Sequence, residues 1–206
     1  MDKRSLLLYL VTDPVLCGSR GLEETSRLAL KAGVTALQLR DKAASARSLM
    51  QSAEVLKRLC SLHEALFLVN DRVDIALACM ADGVHLGQDD IPVRVARKLL
   101  GPDVIIGVSA RSEAEAIDAW KGGADYIAAN MIFSTATKTN LGKPLGLQAV
   151  RTLKDATPLP LVAIGGIDSS NVKLVRKAGA DGIAVVSAIM AAEDVGLAVE
   201  NLLLEM

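Results

Sequence analysis

Eight short apolar runs, spread along the whole chain, constrain the fold more than any other feature. They lie at 6–12, 36–40, 66–70, 83–87, 105–109, 126–130, 161–165 and 182–186. Each has the length of a strand. Between them, apolar residues recur at three- and four-residue spacing, as at Leu49, Ala53, Leu56 and Leu59, which is the period of a helix packed on one face. Strand and helix therefore alternate, and strands joined by helical crossovers are parallel. Eight such units within 206 residues predict an α/β chain of one domain, a closed (β/α)8 TIM barrel over 1–206, at the short end of the usual size. An open doubly wound sheet is the alternative. It needs fewer strands and a glycine-rich turn after the first, where Thr12-Asp13-Pro14 stands instead.

Composition fits a barrel. Hydrophobic residues make up 51% and aromatics only 2%, so the interior must be built from Ala, Val, Ile and Leu, the residues of strands buried on both faces. A formal net charge of -1 argues against a nucleic-acid partner while leaving room for a local basic cluster. Lys3-Arg4 ahead of Leu6–Val11 imitates the start of a signal peptide. The run is short and no small-residue cleavage site follows, so a first strand accounts for it better. No apolar run approaches the about 20 residues that span a bilayer, so no membrane partner is expected. Cys17, Cys60 and Cys79 are odd in number and form no Cys-x-x-Cys pair, which suits free thiols in a reducing cytoplasmic compartment.

A weak internal repeat marks the helix-to-strand junctions. Ala32-Gly33-Val34-Thr35, Met80-Ala81-Asp82-Gly83, Gly122-Gly123-Ala124-Asp125 and Ala178-Gly179-Ala180-Asp181 each end a helix just before a strand. Glycine there takes the left-handed conformation cheaply. We read all four as structural.

Chemistry in such barrels sits where strands run into helices. In the second strand, alternation turns Leu37 and Leu39 one way and Gln38, Arg40 and Lys42 the other, toward the axis. An unpaired buried cation is too costly for a core. The choice lies between an internal ion pair and a basic wall for an anionic ligand, and no acid is interleaved on that face. Asn70-Asp71 ends the third strand and Gln88-Asp89-Asp90 follows the fourth. Each Asp is a candidate helix cap: Asp71 with Asp74 three residues on, Asp89 or Asp90 ahead of Pro92. Together they also set carboxylates above adjacent strands, the hard oxygen ligands that Mg2+ takes alongside water and substrate phosphate. His85 points inward, toward either packing or a ligand. Ser112 with Glu115 forms its own capping box, which leaves Ser109 free for a ligand. The long, hydroxyl- and lysine-rich connection from Asn130 to Pro144 has the look of a binding loop. Glycines at Gly165-Gly166 and the turn at Val186-Ser187 supply the phosphate site common in this fold.

Taken in order, Gln38-Leu39-Arg40-Asp41-Lys42, Asn70-Asp71, Asp82 to Asp90, Gly107-Val108-Ser109, Thr135-Ala136-Thr137-Lys138, Ile164 to Ile167 and Val186 to Ile189 resemble the thiamine-phosphate synthase family. The resemblance implies a transferase that joins a hydroxymethylpyrimidine diphosphate to a thiazole phosphate, giving thiamine phosphate and pyrophosphate. It implies that Gln38, Arg40, Lys42, Asn70, Ser109 and Lys138 hold the pyrimidine diphosphate, with Arg40, Lys42, Ser109 and Lys138 closest to the chemistry. It gives Asp71 and Asp90 to Mg2+, and Thr135, Thr137, Gly166, Val186 and Ser187 to the thiazole phosphate. A homodimer is compatible with it. One stretch departs: the family carries Gly-Pro-Ile-(Phe/Tyr)-Pro-Thr where this chain reads Asn130-Met131-Ile132-Phe133-Ser134-Thr135. Losing two prolines predicts a looser loop, and Asn130 with Met131 a reshaped floor beneath the thiazole.

Three rivals make different demands. A thiazole tautomerase on the same barrel needs no diphosphate apparatus, whereas Lys42, Asp90 and Lys138 are present, and Ser109-Ala110-Arg111-Ser112 lacks the histidine expected of it. A non-catalytic sensor of phosphorylated ligands needs no metal pair. A sugar-phosphate isomerase needs an acid/base pair that the strand ends do not offer.

Overall fold

The computed structural model describes residues 2–135 and 143–206. Eight parallel strands close into a barrel in sequence order: β1 (Leu8–Val11), β2 (Ala36–Leu39), β3 (Leu66–Asn70), β4 (Gly83–Leu86), β5 (Ile105–Ala110), β6 (Tyr126–Asn130), β7 (Leu161–Ile164) and β8 (Gly182–Val185). Strand β8 pairs back to β1, with Leu8 opposite Ile183. The crossovers are α1 (Leu22–Lys31), α2 (Ala46–Leu62), α3 (Val73–Ala78), α4 (Val93–Leu100), α5 (Glu113–Gly122), α6 (Gly146–Ala156) and α7 (Val172–Lys177). After β8 come a short α8 (Ser187–Met190) and the closing α9 (Val195–Leu204). No helix among the described residues is long and apolar enough to cross a membrane. All three cysteines are buried and free.

The expected strands are all present, and the first begins two residues late. Lys3–Leu6 instead forms a 3-10 turn, capped where the Asp2 carboxylate accepts from the Arg4 amide at 2.9 Å. Leu6 then plugs the barrel from below: a Cβ on Gly182 would lie 1.9 Å from the Leu6 carbonyl oxygen.

Strand alternation divides the core in two. Outward residues such as Leu8, Leu37, Leu39, Phe67 and Val84 pack against the helices. Inward residues form a smaller cluster of Leu6, Tyr9, Val11, Ala36, Leu68, Tyr126, Val162 and Ala184. The parity predicted for β2 holds, with Gln38 inside and its leucine neighbours in the shell.

The junction repeat has a precise mechanical role. The residue ahead of each even-numbered strand hydrogen-bonds one residue of the preceding odd strand twice. Its own amide donates to that residue's carbonyl, and its side chain accepts from the same residue's amide. Thr35 does this with Leu8 (amide to Thr35 Oγ1, 3.1 Å), Asp82 with Phe67 (2.7 Å), Asp125 with Ile106 (2.8 Å) and Asp181 with Leu161 (2.8 Å). Gly123 turns the chain ahead of the third of these with φ of 96°, and Met80 takes the left-handed conformation ahead of the second at 52°.

Asp181 is the most heavily used of the four. It pairs with Lys3 at 3.0 Å and, more closely, with Lys154. Burial alone would push its carboxyl up. The Lys154 ammonium, the Leu161 amide and Lys3 outweigh burial and hold it below the ordinary 3.8. A depressed carboxyl contributes stability above its unfolded pKa and loses it as the pH falls through the lower folded value. Asp181→Ala is therefore expected to cost about 2 kcal/mol at pH 7, much of it from the orphaned Leu161 amide. In urea titrations the gap to wild type should narrow below pH 3.8. A gap that is constant with pH would remove the ionic part of this account.

Candidate active site

The inward residues at the C-terminal ends of the strands line one cavity. One wall carries Gln38, Arg40, Asn70 and Ser109, from β2, β3 and β5 or just beyond. The other carries Thr135, Gly165, Gly166, Val186 and Ser187. Two of the predicted residues, Thr137 and Lys138, lie outside the described residues. The rest are brought to this end of the barrel.

The floor of the cavity is a hydrogen-bonded chain that crosses the barrel. Gln38 Nε2 donates to the Tyr9 hydroxyl at 2.6 Å, and the Tyr9 and Tyr126 hydroxyls meet at 3.1 Å. The Tyr126 hydroxyl meets His85 Nδ1 at 2.9 Å, and His85 Nε2 meets Ser109 Oγ at 3.0 Å. Burial pushes the Tyr9 phenol up to about 12, although Tyr126 and Gln38 work against it, and burial drives Tyr126 up as well. Both remain neutral hydroxyls, so the chain fixes Gln38 and Ser109 without placing a charge in the core. His85 thus belongs to the packed network and also borders the cavity. Sequence reasoning missed the two tyrosines. Their signal was parity: each is an amphipathic side chain at an inward strand position, where its hydroxyl needs a partner.

Arg40 stands over this floor. Among the described residues no carboxylate lies within ion-pair distance of it, and its buried Nε has no hydrogen-bond partner. That removes the internal ion pair as its explanation and leaves a guanidinium facing the cavity, suited to an anion. Lys42 is different. It sits on the exposed rim, 3.2 Å from Asp71 Oδ2, so this cation does have an acid beside it, supplied by the neighbouring strand end.

The carboxylates are not helix caps. The N-cap positions are Arg72 for α3 and Pro92 for α4, and neither helix has a side-chain cap. Asp71 instead adopts a left-handed φ of 60° and donates its amide to the His85 carbonyl at 2.8 Å. An aspartate tolerates that conformation better than most residues, at a local cost typical of functional positions. Asp90 accepts from the Gly87 amide at 2.6 Å. Burial, then the adjacent Asp71, push the Asp90 carboxyl above its ordinary value. Among the described residues, two carboxylates have been brought together with Lys42 as the cation beside them, the electrostatic setting that suits a divalent cation. Among the described residues no set of three or more His, Cys, Asp or Glu side chains encloses a metal, so any ion here would complete its shell from water and ligand.

Ser112 caps α5 as expected, accepting from the Glu115 amide at 3.2 Å, while the Glu115 carboxylate reaches the Arg111 amide at 2.7 Å. Ser109 is thereby left to His85 and the cavity. Helix α7 starts behind Asn171, without a side-chain cap.

The departing segment is not loose where it is described. Met131 and Ile132 are buried, and the amides of Ile132 and Phe133 donate to Ile164 and Gly165 at 3.0 Å each. The glycines that follow β7 are shaped around it. A Cβ on Gly165 would lie 2.4 Å from Met131 Cβ, and one on Gly166 2.5 Å from the Ser134 carbonyl oxygen. Backbone hydrogen bonds and burial hold this stretch without the two prolines.

The thiamine monophosphate synthase family model matches residues 8–189, which spans every strand and all the groups described above. The chain belongs to that family. A thiamine-phosphate synthase of Moorella thermoacetica is 47% identical over 195 residues, 95% of this chain and 93% of the relative. One of Methanosarcina barkeri is 47% identical over 197 residues, covering 94% and 89%. The thiamine phosphate pyrophosphorylase structure from Pyrococcus furiosus superposes with a TM-score of 0.91 at 43% identity, covering 98% of this chain and 96% of that one. A 3-hexulose-6-phosphate synthase structure, at 17% identity and a TM-score of 0.69, shares the fold alone.

Proposed function

We infer that the protein is a cytoplasmic thiamine-phosphate synthase that joins a hydroxymethylpyrimidine diphosphate to a thiazole phosphate, releasing pyrophosphate. Family membership over nearly the whole chain supports this. The observation that carries it within the site is Arg40, which among the described residues has no acid partner and faces a glycine and hydroxyl cradle across one cavity.

The chemistry asks little covalent work of the protein. The methylene–oxygen bond of the pyrimidine breaks with both electrons leaving on pyrophosphate, and the amino-substituted ring stabilises the resulting cation. The thiazole nitrogen then gives its lone pair to that carbon. Arg40 and Lys42 would neutralise the departing diphosphate, and by family likeness Lys138 would join them. Gln38, Asn70 and Ser109 would orient the pyrimidine, with Gln38 and Ser109 held by the floor chain. Thr135, Gly166, Val186 and Ser187, with Thr137 by family likeness, would hold the thiazole phosphate so that its nitrogen faces the methylene. The carboxylates of Asp71 and Asp90 would hold Mg2+, which would supply Lewis-acid stabilisation of the negatively charged leaving group. Substrates that fill the cavity would keep out water, which would otherwise trap the cation.

The direct test is thiamine phosphate formation from the two purified substrates, with and without Mg2+. Product that appears only with the metal is expected. No product from well-folded protein would refute the assignment for these substrates, and product independent of any divalent cation would refute the role given to the carboxylate pair.

A further inference from the structure

Asn130 is a polar residue in a place that needs a reason. It is the third inward position of β6, after Tyr126 and Ala128, and it lines the cavity. It is only 7% exposed. No side chain or backbone group among the described residues hydrogen-bonds its amide, in contrast to every member of the floor chain below it. A polar amide with no protein partner on the wall of a cavity is not explained by packing, for which an apolar residue would serve better.

Its backbone, by contrast, is firmly held. The Asn130 carbonyl accepts from Arg111 Nη1 at 2.8 Å, and Arg111 Nη2 reaches across to the Lys143 carbonyl at 3.0 Å. Strand pairing places Asn130 level with Ile164 of β7. The amide therefore lies one and two residues below Gly165 and Gly166, at the depth of a ring hanging beneath a phosphate held by those glycines.

We propose that Asn130 is a specificity-determining contact to the thiazole phosphate, its amide hydrogen-bonding the acceptor heterocycle below the phosphate cradle. The proposal rests on the reading that the Thr135, Gly166 and Ser187 wall holds that substrate. The amide offers both a donor and an acceptor on a fixed backbone, so it selects a heterocycle with a polar edge and leaves an unmatched group against one without.

The test separates the two substrates. For Asn130→Ala, the KM for thiazole phosphate should rise about tenfold, the effect of one hydrogen bond near the upper end of its range. The KM for the pyrimidine diphosphate should stay within about twofold, and the melting temperature of the substrate-free protein should not fall, since no protein contact is lost. Asn130→Ser, which keeps a short donor and acceptor, should fall between wild type and Ala in the thiazole KM. An unchanged thiazole KM, or a rise confined to the pyrimidine diphosphate, overturns the proposal. A lower melting temperature with both KM values raised together also overturns it, in favour of a structural role. Ser187→Ala is the control for the wall. If it raises the thiazole KM and Asn130→Ala does not, the proposal alone fails. If it raises only the pyrimidine KM, the wall reading fails and takes the proposal with it.

Discussion

Gly107→Ala is expected to cost about 3 kcal/mol or more of folding stability, together with most of the activity. Gly107 sits at an inward position of β5, opposite Tyr126. An alanine Cβ there would lie 2.0 Å from Tyr126 Cζ and 2.3 Å from its Oη. The ring has nowhere to go. It is fully buried, packs edge-on to Tyr9 with ring centres 6.2 Å apart, and is hydrogen-bonded on both sides, to Tyr9 and His85. Interiors packed as densely as crystals absorb such overlap only by shifting backbone or breaking hydrogen bonds. Because Tyr126 links Gln38 to Ser109 through Tyr9 and His85, the damage reaches the ligand-facing wall. Urea denaturation gives the stability change and a steady-state assay the rest. A variant within about 0.5 kcal/mol of wild type would mean that the ring relocates freely and that the floor chain is not rigid.

The second large effect belongs to the carboxylate pair. Asp71→Ala or Asp90→Asn is expected to lower kcat about 100- to 1000-fold, the scale on which removal of one preorganised electrostatic contact acts. Stability should move the other way for Asp90→Asn. A folded carboxyl pKa raised above 3.8 means that the ionised form is disfavoured by folding, so its contribution is lost as the pH climbs past that value. Asparagine keeps an acceptor for the Gly87 amide and removes the repulsion from Asp71. In metal-free buffer the variant should melt no lower than wild type at pH 7, while added Mg2+ should stabilise wild type alone. A variant that is active, or one that gains as much from Mg2+ as wild type, would place the metal elsewhere.

Much of the fold was legible because two periods alternate cleanly: short apolar runs against stretches at helical spacing. Parity within a run then told Gln38 and Arg40 from Leu37 and Leu39, since only one face of a barrel strand meets the axis. At Asp71 and Asp90 a metal-binding role was not separable from helix capping in one dimension. Both readings ask for an Asp just before a helix, and only the placement of the carboxylates removes the caps. Lys42 illustrates the same limit, because its partner Asp71 comes from a different strand end. Tyr9 and Tyr126 stayed hidden because a chain with so few aromatics reads as purely aliphatic inside. The departure at Asn130 to Ser134 was visible, but how its described residues are held was not. Proline is one way to fix a loop, and ladder hydrogen bonds with two buried side chains are another.

The doubled hydrogen bonds at Thr35, Asp82, Asp125 and Asp181 recur after every second strand, so the base of the barrel has a near-fourfold rotational order that its top lacks. At the base, four quarter-turns are fastened by one repeated clasp, with threonine in the first and aspartate in the other three. At the top, the strand ends instead carry different groups: a cation, a carboxylate pair, a hydroxyl and a glycine cradle. The symmetric end sets where each strand begins. The asymmetric end can then change side chain by side chain without the strands losing their places.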